Sequence, residues 1–155
     1  AGFAPHPPNH SAWTKTGETH TVVSKRAKRL NVLGALFSSG RLMLARLWHN
    51  VNGLWCFGFL MALLERVQKP LVVVLDNASI HTAKALEPFW ELLKEKDLRF
   101  YFLPPYSPEL NRIELLWKKM KYEWLPFQSF TPDELEQAID QIGAGFGSQY
   151  QLTFC

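Results

Sequence analysis

The sequence predicts a mixed α/β fold in which a sheet is flanked by helices. Two apolar runs, residues 30–37 and 42–48, flank the tetrapeptide Ser38-Ser39-Gly40-Arg41, a pattern typical of a β-hairpin. The unbroken apolar run Leu71–Leu75 indicates a further strand, and capped or amphipathic segments downstream indicate helices. Antiparallel strands followed by alternating strand and helix favour the α/β class. With 155 residues, 47% of them hydrophobic, the chain can form one domain with a substantial core.

The N-terminal half is predicted to contain a loop, the hairpin and one helix. Residues 4–19 are rich in Pro, His, Asn, Ser and Thr, which is typical of an extended loop. After the hairpin, Asn52 is a suitable N-cap for a helix over residues 53–67, and Lys69-Pro70 ends that helix.

The next part of the chain is predicted to run from strand to helix to strand. Leu71–Leu75 shows no polar alternation, so we expect it to be buried on both faces of a partly parallel sheet. The following helix covers residues 87–96. Pro88 fits the first turn of this helix. It would kink a helix that began earlier, near Ser79, so the start of the helix stays open. A second strand follows over residues 98–103.

Two helices complete the pattern. Residues 112–124 carry an apolar stripe at helical spacing, and a capping box at Thr131-Pro132-Asp133-Glu134 opens a helix over residues 132–142. Residues 143–155 are Gly-rich and then apolar, and they remain unassigned. The layout is that of a ribonuclease-H-like mixed sheet flanked by helices, with its first strand missing from this chain. We therefore expect residues 1–155 to be an N-terminally truncated domain.

Composition excludes several classes of protein. The longest apolar stretch, residues 53–64, is too short to span a bilayer, so we expect no membrane partner. Cys56 and Cys155 match no metal or disulfide spacing, which favours a reducing compartment. A net charge of +3 is too small to indicate a nucleic-acid partner by itself, so the distribution of charge must carry that argument.

Asp76 is the first candidate for chemistry, because it directly follows the apolar strand Leu71–Leu75. In an open α/β sheet, ligands bind beyond the carboxyl ends of the strands, which is where this carboxylate is expected to lie. Asp76-Asn77 also suits a simple turn, since both residues bond locally to the backbone. Position alone leaves both interpretations open.

Glu114 is the second candidate. Asn111 and Glu114 have the spacing of a capping box, which is a purely structural interpretation. Glu114, Lys118 and Lys121 also share one stripe of the predicted helix, next to its apolar face. That stripe is either a solvated ion pair with a spare lysine, or an acid holding a cation beside two lysines that contact DNA phosphates. Glu109 is the competing acid of this loop and is expected to face solvent.

Further polar residues are weaker candidates. The basic run Lys25, Arg26, Lys28 and Arg29 either contacts backbone phosphates or is merely solvated. His81 either positions DNA or a water molecule, or bonds the backbone at a helix start. Asn77 and Arg112, which neighbour the two acids, are accessory candidates.

Two long motifs resemble a known family. Residues 76–81 (Asp-Asn-Ala-Ser-Ile-His) and 103–117 (Leu-Pro-Pro-Tyr-Ser-Pro-Glu-Leu-Asn-Arg-Ile-Glu-Leu-Leu-Trp) resemble the DDE transposases of bacterial insertion sequences in the mariner-like superfamily. Residues 13–17 and 28–34 resemble the early core of the same proteins. The order and spacing of the motifs agree with the family over nearly the whole chain. A departure is Arg112, where many relatives carry proline.

The resemblance implies a catalytic domain whose second and third acids are Asp76 and Glu114. The first Asp of the family lies immediately before a segment resembling Ala1-Gly2-Phe3, so we expect it to be cut off with its strand. The implied cofactor is Mg²⁺ or Mn²⁺, held by carboxylates for in-line displacement at phosphorus.

The implied activity is cleavage at transposon ends and strand transfer into target DNA. Double-stranded DNA is the expected substrate, a homodimer the expected assembly of the full-length protein, and the bacterial cytoplasm, at the nucleoid, the expected location. The alternative is a truncated, inactive remnant that at most binds DNA. A more distant alternative is another ribonuclease-H-like nuclease.

Overall fold

A computed structural model describes residues 1–6, 16, 28–76 and 83–153. Over these residues the expected mixed α/β architecture, with strands flanked by helices, is confirmed. None of the described helices is both long and apolar enough to cross a bilayer. The predicted loop over residues 4–19 lies largely outside the described residues.

The first group of strands is antiparallel. It consists of β1 (Gly2–Phe3), β2 (Leu30–Leu36) and β3 (Leu42–Leu47), in the order β1-β2-β3. Leu36 pairs with Leu42, so β2 and β3 form the predicted hairpin. Gly40 makes its turn with φ +82°, a left-handed conformation that glycine adopts without steric cost.

Helix α1 (Gly53–Val67) follows the hairpin with the predicted bounds. The Asn52 side chain accepts a hydrogen bond from the Trp55 backbone N–H at 3.0 Å, which satisfies one of the donors that a helix start leaves unpaired. Gln68 ends the helix in a left-handed conformation, and its N–H donates to the Leu64 carbonyl.

The second group of strands is parallel. Strand β4 (Leu71–Leu75) pairs in register with β5 (Leu98–Phe102), from Leu71 opposite Leu98 to Leu75 opposite Phe102. Between them lie α2 (Ala83–Leu86), a 3₁₀ turn (Glu87–Phe89) and α3 (Trp90–Glu95). The helix is therefore interrupted at Pro88, as proline predicts, and residues near Ser79 lie outside the described part.

The described strands form two hydrogen-bonded groups, β1-β2-β3 and β4-β5. Strand β1 has only two paired residues, and both pair with β2. The backbones of Ala1 and Val32 extend this pairing, since each N–H donates to the other's carbonyl at 2.7 Å.

The C-terminal helices pack mainly on the hairpin. Helix α4 (Arg112–Lys119) continues through a π turn (Met120–Trp124) and contacts β2, and α5 (Pro132–Gly145) contacts β3. The predicted capping box at Thr131 and Glu134 is present. Residues beyond the predicted end at 142 complete α5 and then turn back through a bridge between Phe146 and Tyr150.

Two apolar cores hold the strands and helices together. One joins α4 and α5 to the first strands, and its buried residues are Phe3, Leu30, Val32, Leu116, Trp117, Met120, Leu135, Ile139 and Ile142. The other joins α1, α2 and α3 to the parallel pair, and its buried residues are Met43, Cys56, Leu60, Leu63, Leu86, Leu93 and Leu98. The α4 stripe predicted from helical spacing is thus an interior surface.

The expectation that Leu71–Leu75 is buried on both faces is wrong. Val72 and Val74 are 64% and 52% exposed, whereas Leu71 and Val73 pack into the second core. The reason is that this core covers one face of the parallel pair, while α4 and α5 pack mainly on the hairpin strands. An apolar run without alternation did not distinguish one covered face from two.

A polar cluster fastens α5 to β3. The Arg46 guanidinium donates to both carboxylate oxygens of Asp140 at 2.8 Å and to Glu136 at 2.6 Å. The Trp48 indole N–H donates to the other oxygen of Glu136. The hydrogen bond from Arg46 lowers the pKa of Asp140.

Candidate metal and nucleic-acid site

The two parallel strands bring Asp76 and the loop of residues 103–111 to one edge of the molecule. Because β4 and β5 run in the same direction, their carboxyl ends meet there. The Leu103 N–H donates to the Leu75 carbonyl at 2.8 Å, which holds the start of the loop beside the end of β4. Asp76 directly follows β4 and is half-buried.

Asn111 connects this edge to helix α4. Its side-chain N–H donates to Asp76 Oδ2 at 3.5 Å, a long contact between two part-buried groups. It does not cap α4 with its side chain, although it occupies the N-cap position. The predicted capping box of Asn111 and Glu114 is therefore not formed: the Glu114 N–H donates to the Asn111 backbone carbonyl at 2.9 Å, and the Asn111 N–H donates to the Pro108 carbonyl. Glu114 is left exposed in the first turn.

The amino group of Ala1 is influenced by the charges of three site residues. Burial is the main cause that lowers its pKa, and the positive charge of Lys121 lowers it further. The negative charges of Glu114 and Asp76 act on the same group in the opposite direction. The charges of all three side chains therefore act on this amino group.

Packing of α4 on the first strands sets this arrangement. The Phe3 ring meets the Trp117 ring edge-on, with centroids 6.2 Å apart. Lys121 Nζ lies 5.4 Å from the centroid of the Phe3 ring, which is a cation–π contact. A side chain at Gly34 would meet Trp117, so glycine permits the close approach of α4 to β2.

The interpretation of Glu114, Lys118 and Lys121 as a solvated ion pair with a spare lysine finds no support in the described residues. Ion pairs found there include Arg46 with Glu136 and Asp140, and Lys119 with Glu123 at 2.7 Å. Glu114 and Lys118 are both exposed, and no ion pair between them is found in this part of the chain.

A cavity of about 240 Å³ adjoins the site. Lys121, Arg29 and His6 contribute the polar groups of its described lining, and no carboxylate occurs there. Aromatic and aliphatic groups form the rest, namely Gly2, Phe3, Ala4, Tyr122, Leu125, Pro126, Phe127 and Phe130. The lining thus favours an anionic partner with flat apolar parts.

The remaining candidates are distributed as follows. Lys28 and Arg29 are exposed ahead of β2, and Arg112 is exposed at the first position of α4. Lys25, Arg26, Asn77 and His81 lie outside the described residues.

The donor set fits a hard divalent cation. Asp76, Glu114 and the amide oxygen of Asn111 are oxygen ligands, the type that Mg²⁺ and Mn²⁺ prefer. Within the ranges that the structure describes, no group of three or more His, Cys, Asp or Glu residues is arranged to hold a metal ion. Asp76 and Glu114 would therefore hold a cation together with further oxygen ligands.

Asn111 is the site residue that sequence reasoning assigned to another role. Its place before a helix indicated an N-cap, and nothing local distinguishes a capping amide from one that bonds a distant carboxylate. The available signal was that Asn111 lies only three residues before Glu114, in the same motif.

Comparison with known proteins identifies the family of the chain. The family model described as DDE superfamily endonuclease matches residues 1–136. Since this is well over half of the chain, the protein belongs to the DDE superfamily of endonucleases.

Two known proteins are similar to parts of the chain. The fold is similar to a chain in the crystal structure of the Mos1 strand transfer complex, with a TM-score of 0.67 and 21% identity over 93% of this chain. An uncharacterised protein of Sinorhizobium fredii, y4pE/y4sA, is 36% identical over 59 residues, or 38% of this chain. The chain spans 46% of the Mos1 chain, and the matched segment spans 39% of the Sinorhizobium protein.

Proposed function

We propose that the chain is the catalytic domain of a transposase that cleaves a phosphodiester at each transposon end and transfers the freed strand to target DNA. The observation that carries the proposal is the hydrogen bond from Asn111 to Asp76, because Asn111 precedes the first turn of α4, which carries Glu114. Membership of the DDE endonuclease superfamily supports it. The similarity to a chain from a strand transfer complex adds support at the level of fold.

Each site residue has a role in this proposal. Asp76 and Glu114 would hold divalent cations, and the hydrogen bond from Asn111 restrains the orientation of the Asp76 carboxylate. Bound Mg²⁺ would supply activation of the attacking oxygen and stabilisation of the leaving oxygen. Lys121 would offer its charge to the phosphate, because its charge and that of Glu114 both act on the Ala1 amino group.

The DNA backbone is proposed to follow the basic groups beside these acids. Arg29 and Lys121 line the cavity, and Lys28 and Lys118 are exposed nearby in sequence. Phosphate contacts of this kind weaken steeply as salt rises, so binding should be salt-dependent. We further propose that the protein works as a homodimer on double-stranded DNA in the bacterial cytoplasm.

We also propose that the first acid of the triad, which the family resemblance implies before Ala1, completes the site. The charges of Asp76 and Glu114 act on the Ala1 amino group, so an acid joined to Ala1 would come within their electrostatic range. The test compares two N-terminal extensions that differ only in ending with Asp or Asn before Ala1. Mn²⁺ binding, followed by electron paramagnetic resonance, should be tighter for the Asp form. Equal affinities would exclude the position.

The catalytic assignment is tested on the full-length gene product. Asp76→Asn and Glu114→Gln should each lower Mg²⁺-dependent cleavage by at least about 100-fold, as losses of metal ligands do, with little change in DNA affinity. Glu109→Gln is the matched control, since Glu109 is an exposed acid of the same loop. Near-parental cleavage by either of the first two variants would disprove the assignment. DNA binding without cleavage by the parent protein would favour the inactive remnant.

A further inference from the structure

Tyr106 stands out among the residues that the proposed catalysis does not use. It is fully exposed, the most exposed of the large hydrophobic residues in the described part of the chain. Its φ of +58° lies in the left-handed region, which is costly for a residue with a bulky side chain. A protein retains such a conformation only where the surroundings impose it, and such residues cluster at functional sites.

The loop around Tyr106 is braced so that the ring is presented to solvent in a defined place. Prolines at positions 104, 105 and 108 restrict the backbone. Three hydrogen bonds close the loop on itself: Ser107 Oγ to the Pro105 carbonyl at 3.4 Å, the Leu110 N–H to the Ser107 carbonyl at 3.2 Å, and the Asn111 N–H to the Pro108 carbonyl at 3.0 Å.

Both ends of this loop are attached to the site. Leu103 is buried and bonds to the end of β4, and Asn111 bonds to Asp76. The tyrosine therefore projects from the same edge of the molecule that carries the two catalytic acids, at the tip of a connection only seven residues long between these anchors.

We propose that Tyr106 stacks its ring on a nucleobase of the DNA strand next to the phosphodiester bound at Asp76 and Glu114. This inference rests on the proposed function and names a residue that positions the substrate. Every nucleobase has a π face, so stacking needs no base sequence and suits a ring that is held out in water. The restrained backbone leaves little backbone entropy to lose on binding.

The surroundings favour DNA over a protein partner. Arg112 is exposed at the start of α4, six residues after the tyrosine, and Lys118 is exposed six residues further along the helix. Cations that can reach the phosphates on either side of a stacked base accompany aromatic groups in strand-binding sites.

The test separates the side chain from the backbone of this position. Asparagine tolerates a left-handed φ, so Tyr106→Asn removes the ring and keeps the loop, while Tyr106→Phe keeps the ring and removes the hydroxyl. The probe is a short duplex with frayed ends whose terminal base is 2-aminopurine, a fluorophore that is quenched by stacking. Tyr101→Thr is the control, because Tyr101 is 60% exposed in β5 and threonine suits a strand.

Three outcomes support the proposal together. The parent and Tyr106→Phe should bind the duplex equally and quench the probe. Tyr106→Asn should raise the dissociation constant roughly 5- to 150-fold, the range for loss of one base–aromatic stack, and abolish the quench without lowering the melting temperature. Tyr101→Thr should behave like the parent.

Two other outcomes overturn it. Retained affinity and quenching in Tyr106→Asn would exclude a stack. A change in sedimentation of Tyr106→Asn with unchanged DNA binding would assign the ring to a contact between protein copies. Binding is measured in EDTA as well as in Mg²⁺, so it does not depend on cleavage. Failure of Asp76→Asn to abolish cleavage would therefore refute the catalytic assignment and leave the stacking result standing.

Discussion

Substitution of Gly34 by alanine tests whether the approach of α4 to β2 supports the fold. A Cβ at this position would lie 2.5 Å and 2.8 Å from two ring carbons of Trp117, and 3.1 Å from a methyl group of Leu44. Trp117 is only 7% exposed and packs against Phe3, so its ring cannot withdraw without disturbing the core. Something must therefore shift, and the flexible Leu44 is not the closest contact.

The magnitude follows from two opposing effects. Overpacking of a core costs about 1–3 kcal/mol. Replacement of glycine by alanine recovers about 0.5–1 kcal/mol of backbone entropy. The net loss for Gly34→Ala is then about 0–2.5 kcal/mol, and the melting temperature should fall by up to about 10 °C for a chain of this size.

Gly58→Ala is the matched control. Gly58 lies within α1, and a Cβ there would meet no heavy atom within 4 Å. The same entropy gain applies without a clash, so this variant should be more stable than the parent by about 0.5–1 kcal/mol. Both variants are measured by thermal and urea unfolding. If Gly34→Ala were as stable as Gly58→Ala, the packing argument would be refuted.

Two further predictions concern the hydrogen-bonding side chains of Arg46 and Asn111. Arg46→Met should destabilise the protein by about 0.5–1 kcal/mol at neutral pH, a value kept small because Asp140 is largely exposed. Arg46 lowers the pKa of Asp140 in the folded state. The stabilisation is therefore present above the unfolded-state pKa of Asp140 and is lost as pH falls through the lowered folded-state pKa. A difference in stability between parent and variant that grew at acid pH, measured by urea unfolding, would contradict this. Asn111→Ala should weaken Mn²⁺ binding about 10-fold or more through release of Asp76, with a melting temperature near the parent's, and unchanged metal affinity would remove Asn111 from the site.

Much of the fold was accessible from the sequence because its signals are local. The hairpin turn at Gly40, the cap at Asn52 and the capping box at Thr131 each use residues within four positions of one another. The break near Pro88 is equally local, since proline removes the donor that a continuous helix needs. These predictions were confirmed for that reason.

The candidate site was only partly accessible. The sequence indicated Asp76 from its place after an apolar strand and Glu114 from its motif, but each retained a structural alternative. The amide of Asn111 was assigned to the helix cap, and its bond to Asp76 joins residues 35 positions apart. Local patterns carry no information about such a pair, because any nearby acceptor satisfies an amide equally well.

The sequence by itself determined which segments become strands and helices, because hydrogen bonding within a turn or cap acts over a few residues. It also indicated one carboxylate after a strand and one in the first turn of a helix. Only the tertiary structure decided that the charges of Glu114, Asp76 and Lys121 act on the Ala1 amino group, and that Val72 and Val74 stay exposed. Those outcomes depend on how distant surfaces pack. The close fit of Trp117 over Gly34 orients α4 and with it the acid on its first turn, and such a fit exists only once the layers have assembled.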